Sequence, residues 1–82
     1  MSSDDRLTQL YVIKVKCSIT EIDDTLNTVS GLIDLSDEQF EEIRFDLTDH
    51  GEAVIAIVPF QMCEQKMFEL SRSGLRVISV KN

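Results

Sequence analysis

The sequence predicts an α+β domain with the element order β-α-β-β-α-β, a four-stranded antiparallel sheet carrying both helices on one face. Three observations lead there. Residues 42–58, EIRFDLTDHGEAVIAIV, read as a β-hairpin. A strand-like run, LYVIKVKC, feeds directly into a helix-start signal. A second helical stripe begins at Pro59 and hands over at Gly74 to a last strand, LRVISV.

The elements follow in order. Tyr11, Ile13, Val15 and Cys17 alternate with Lys14 and Lys16, the period of a half-buried strand. Ser18-Ile19-Thr20-Glu21 fits a capping box, with Cys17 and Ile22 placed to staple the helix entry. Asp23 and Asp24 lie in the first turn, where the helix dipole favours acids. Ile22, Leu26 and Val29 form the buried stripe, and Gly31 is expected to end the helix. Residues 32–41 read as a connection with Leu32, Ile33, Leu35 and Phe40 tucked under the sheet edge.

In the hairpin, Ile43, Phe45 and Leu47 alternate with Arg44, Asp46 and Thr48, and Ala53, Ile55 and Ile57 alternate with Val54, Ala56 and Val58. Gly51 in the left-handed region of a three-residue loop pairs Leu47 with Ala53, Phe45 with Ile55 and Ile43 with Ile57. All three inner pairs are apolar, and a slip of one residue would bring Arg44 or Asp46 into that face. The competing reading coils residues 36–49 into a helix. Ser36-Asp37-Glu38-Gln39 fits a capping box, and Phe40, Ile43 and Leu47 share a face, but Phe45 is left on the opposite side. That alternative gives the order β-α-α-β-α-β. After the hairpin, Pro59 suits a first helical position, and Phe60, Cys63, Met67 and Leu70 fall on one helical face. The whole is a ferredoxin-like arrangement, in which the first and third strands are central and the second, bearing Glu42, Arg44, Asp46 and Thr48, is a charged edge.

At 82 residues the chain has room for one modest core, with residues 1–8 expected as a flexible N-terminus and 9–82 as a single domain. The opening Met1-Ser2-Ser3-Asp4-Asp5 is polar and acidic, unlike a signal peptide, and the two cysteines, Cys17 and Cys63, make no disulfide framework. A cytoplasmic protein with reduced thiols is expected. The net charge of −7 is uneven, since residues 36–52 carry seven acids and one base while residues 53–82 carry two acids and four bases. Such a surface repels phosphate backbones, so no nucleic-acid partner is expected. No apolar run approaches the ~20 residues of a membrane span, so no membrane partner is expected either.

Two family resemblances sit on these residues. From Asp46 to Val80 the chain resembles the C-terminal half of an ACT-type regulatory domain, its helix running into Leu70-Ser71-Arg72-Ser73-Gly74-Leu75-Arg76-Val77. That resemblance implies pairing and amino-acid binding at the first strand-to-helix turn, where this chain has Ser18-Ile19-Thr20-Glu21 in place of the family's acidic residue before Pro-Gly. Under the helical reading, Leu35-Ser36, Glu41-Glu42-Ile43, Gly51-x-Ala53-Val54, Pro59 and Glu64-x-Lys66 are similar in spacing to the Clp protease adaptor family, whose fold the ribosomal stalk C-terminal domain shares. The polar anchors of that family's degron pocket are replaced here by Lys16, Cys17 and Thr48, so the resemblance implies a docking domain without that recognition.

Candidate chemistry is sparse. His50, the lone histidine, sits beside Asp49 in a turn, where a solvated residue is the simpler reading than an acid–base catalyst. Cys17 follows Lys16 and precedes a helix start, an environment that lowers a thiol pKa, but no partner base is placed by motif. Cys63 reads as core, and Cys17, Cys63 and His50 lack metal-site spacing. Asp23, Asp24, Glu41 and Glu42 read as solvated acids rather than a catalytic pair. The stacking aromatics of an RNA-recognition sheet are missing. No catalytic residue, metal ligand or cofactor is therefore expected.

The expected function is that of a non-catalytic regulatory or protein–protein interaction module. Val12, Val54, Ala56 and Val58, with Val77 as a further candidate, are expected to point away from the helices as an apolar face that makes a homodimer or docks a partner. Asp37, Glu38, Glu41, Glu42 and Asp46 are expected to form an acidic edge that steers a basic protein. A small-ligand sensor of the amino-acid type would use Ser18, Thr20, Glu21 and Asp23, and a protease-adaptor-like docking domain is the third reading.

Overall fold

Residues 9–82 are described by a computed structural model; the expectation for residues 1–8 lies outside them. The element order is β1 (Leu10–Lys16), a 3-10 turn (Ile19–Glu21), α1 (Ile22–Leu32), α2 (Asp37–His50), β2 (Glu52–Pro59), α3 (Phe60–Arg72) and β3 (Arg76–Lys81). The sheet has three strands in the order β2-β1-β3, with β1 antiparallel to both neighbours.

This overturns the four-stranded, two-helix arrangement. Residues 37–50 form a helix, not the first strand of a hairpin, so β1 alone is central and β2 becomes an edge. The order β-α-α-β-α-β is the one that the helical reading of residues 36–49 gives. Both ends of α2 are locally determined. The Gln39 amide donates to Ser36 Oγ at 3.2 Å and the Ser36 amide to Gln39 Oε1 at 3.0 Å, a complete capping box. At the other end Gly51 adopts φ 76° and its amide donates to Leu47 O at 3.0 Å. Ile43 and Leu47, one turn apart, reach the core, while Phe45 is left 67% exposed. Gly51 keeps its left-handed backbone under either reading, which is why it cannot discriminate a hairpin loop from a helix end.

The remaining helices follow their sequence signals with small shifts. Ile22, Leu26 and Val29 of α1 are buried, and the helix passes through Gly31 to Leu32. Pro59 caps α3 rather than opening it, with φ −64° and extended ψ. Cys63 and Leu70 are buried along α3, Met67 packs against the core, and Phe60 stays partly exposed with its ring 5.8 Å from that of Tyr11. One cluster joins Ile13 and Val15 of β1 to the buried residues of all three helices and of β2, so the helices occupy one face of the sheet. Ile33, Leu35 and Phe40 pack against that cluster from the α1–α2 connection and the start of α2.

Within β2 the register changes. Ile13 pairs with Ala56, but Lys14 pairs with Val54, so Ile55 is an extra residue, a β-bulge. Ala53 and Ile55 face the helices before the bulge, as alternation predicts. Beyond it the phase is inverted: Val58 is 7% exposed and joins the core, Ala56 packs against it, and Ile57 is 57% exposed. Ala56 and Val58 are therefore corrected from the outer to the inner face, and Ile57 from inner to outer. Val77, paired with Val15, also packs against the core.

Candidate functional site

The helix-free face is the most distinctive surface among the described residues. Across the strands, Val12 lies between Ile57 and Val80, and Lys14 between Val54 and Ile78. Ile57 is well exposed, and Val54, Ile78 and Val80 are 42%, 36% and 43% exposed. Of the four residues expected on this face, Val12 and Val54 are there; Ala56 and Val58 are not, because of the bulge. Sequence reasoning missed Ile57, Ile78 and Val80 as members; Ile78 and Val80 follow from the alternation of the last strand only when Val77 is placed inward, opposite to the expectation for Val77.

One end of the face is charged. Glu52 takes an ion pair from Lys14 at 3.4 Å and a longer one from Lys16 at 3.9 Å, and Arg76 stands opposite Lys16 on β3. These pairs are at least partly solvated and add little to stability. They do fix which end of the open face is polar.

The acids expected on a strand edge lie on α2 instead. Asp37, Glu38, Glu41 and Glu42 are exposed, and Asp46 is half-buried. Asp46 and Glu42 border a shallow cavity of about 260 Å³ that also touches Ile43, Val54 and Ile55. The acidic surface is thus a helix face beside β2, where Arg44 is turned aside to Asp23 of α1 at 3.1 Å.

The proposed ligand residues are occupied with one another. Ser18 Oγ donates to Glu21 Oε1 at 2.8 Å, the Ser18 amide reaches the same oxygen at 3.3 Å, and the Ser18 and Thr20 hydroxyls are 3.3 Å apart. The Ser18 hydroxyl and amide, aided by Arg76, hold the Glu21 carboxyl below its ordinary pKa. Asp23 is tied to Arg44. The cluster organises the start of α1.

His50 Nε2 lies 3.1 Å from Asp49 Oδ2, both side chains well exposed at the end of α2. Cys17 is half-buried and Cys63 buried, both as free thiols. Among the described residues, no three His, Cys, Asp or Glu side chains converge as metal donors, and no helix is long and apolar enough to cross a membrane.

No protein-family model matches the chain, and a search of curated proteins finds no match.

Proposed function

We propose that this chain is a non-catalytic interaction module that associates through the helix-free face of its sheet. The observation that supports it is a set of outward aliphatics on all three strands, Val12, Val54, Ile57, Ile78 and Val80, interrupted by Lys14 between Val54 and Ile78, with no helix of the described residues over them. Exposed apolar area of this kind is a feature of association surfaces. A second copy of the chain is the first occupant to test, since isologous pairing needs only a self-complementary patch. The acidic surface of α2 sits outside that face, and where the occupant is a basic partner protein rather than a second copy, its role is long-range steering, felt as a salt-dependent association rate.

Sedimentation over the micromolar to millimolar range tests the face. The unmodified chain gains mass with concentration, and Ile57→Lys, at a side chain more than half exposed in the monomer, stays monomeric with an unchanged fold. A chain that remains monomeric throughout, or an Ile57→Lys variant that associates as before, rejects this face as the contact.

A further inference from the structure

The free edge of β3 is a separate surface from the face just discussed, and it has its own chemistry. No strand among the described residues pairs with β3 on the side away from β1. The Asn82 amide donates to Leu10 O at 3.1 Å, in the register that places Val80 opposite Val12 and Ile78 opposite Lys14. Antiparallel ladders alternate, so Ile78 and Val80 spend their backbone groups on β1. The N–H and C=O groups of Val77, Ser79 and Lys81 therefore point to the open edge.

Charge singles out this edge. In a chain of net charge −7, β3 carries Arg76 and Lys81 and no acid. Arg76 shares the outer face with Ile78 and Val80, whereas Lys81 shares the helix side with Val77 and Ser79. Beneath Ser79, on that helix side, lies a groove of about 430 Å³ lined by Tyr11, Phe60, Cys63 and Met67, with Gln61 and Glu64 also on its wall.

We propose that β3 takes an extended acidic segment of a partner protein as a fourth, antiparallel strand. Cross-strand neighbours share a face, so the segment's pattern follows from β3. An acid lies opposite Lys81, an aliphatic residue opposite Val80, and an aromatic or large apolar residue opposite Ser79, on the side of the groove. A second aliphatic residue lies opposite Ile78, any residue opposite Val77, and a second acid opposite Arg76. The two acids are five positions apart and on opposite faces, which matches the two bases.

The test is an NMR titration of the full chain with the capped peptide Asp-Val-Phe-Ile-Thr-Glu and with its counterpart bearing lysine at both ends. The acidic peptide binds about tenfold more tightly, the order expected of two exposed charge pairs. It also slows hydrogen exchange at Val77, Ser79 and Lys81 specifically. Reversing both bases, Arg76→Glu with Lys81→Glu, inverts the preference. Ser79→Pro removes an edge donor without taking a bond from β1, so it abolishes binding while the spectrum stays dispersed. Ile57→Lys leaves peptide binding intact, which separates this proposal from the face reading. Equal binding of the two peptides, or no slowing at the three amides, overturns it and leaves Arg76 and Lys81 as charges that guard an edge against pairing. Slowed exchange at those amides with rising protein concentration and no peptide also overturns it, in favour of a second copy.

Discussion

The two faces of this sheet are made from the same few residue types. Ile13, Val15, Ala53, Ile55 and Val58 line the face under the helices; Val12, Val54, Ile57, Ile78 and Val80 line the other. Composition does not distinguish them, and in β2 alternation alone does not either. Seven consecutive positions from Ala53 to Pro59 are apolar, so a single extra residue at Ile55 exchanges the faces without leaving a polar side chain in the core. The difference teaches that an all-aliphatic strand leaves its phase to be settled by what packs against it. Polar residues remove that freedom in β1, where Lys14 and Lys16 hold the alternation.

The largest effect that can break this comparison is at the neighbours Val58 and Ile57. Val58→Asp places an unpaired carboxylate in the core and is expected to cost about 3–5 kcal/mol, comparable with the whole stability of a small domain. Ile57→Asp, on the open face, should change stability by no more than about 0.5 kcal/mol. Urea denaturation followed by circular dichroism measures both. The reverse ranking would restore uninterrupted alternation and remove the bulge.

A similar contrast sharpens the placement of α2. Leu47→Ala empties a fully buried site and should cost about 2–5 kcal/mol, whereas Phe45→Ala removes a ring that is mostly in solvent and should cost well under that, about 0.5 kcal/mol. In a hairpin with Phe45 packed on Ile55, the two losses would be comparable. Thermal melts of the two variants decide it. The smallest contrast concerns the helix end. Gly51→Ala forces a side chain into the left-handed region and should cost about 1 kcal/mol, with Gly31→Ala, in a helix with open space around it, neutral or slightly stabilising.

How far the fold was legible depended on whether local signals were unique. The stripe Ile22, Leu26 and Val29 and the stripe Cys63, Met67 and Leu70 have one periodicity and one reading, and both are found packed inward. Residues 37–50 satisfy two templates. Ile43, Phe45 and Leu47 alternate as a strand would, and Phe40, Ile43 and Leu47 line up as a helix would. The strand template counts Phe45 as buried. The helix template gives up that burial, worth roughly 2 kcal/mol, in return for a reciprocal N-cap, a glycine C-cap and a helical hydrogen-bond ladder across residues 37–50. The acidic residues were placed in the right segment but on the wrong element, since an edge strand and a helix face are equally good homes for solvated carboxylates. Of the candidate binding residues, Val12 and Val54 were placed on the open face because β1 and the first half of β2 are anchored by charged neighbours.

By itself the sequence determined an α+β chain with strands at both ends, two of its three helices, the capping signals, and a strongly acidic segment before residue 53. These are set by interactions within a few residues, where hydrogen bonds and side-chain period are fixed by chain geometry. The tertiary structure decided that residues 37–50 coil, that three strands rather than four make the sheet, and which aliphatics of β2 meet the helices. Each of those choices compares two locally acceptable states: in β2 the difference is the apolar area that the helices cover, and in residues 37–50 it is the caps and helical hydrogen bonds set against the burial of Phe45.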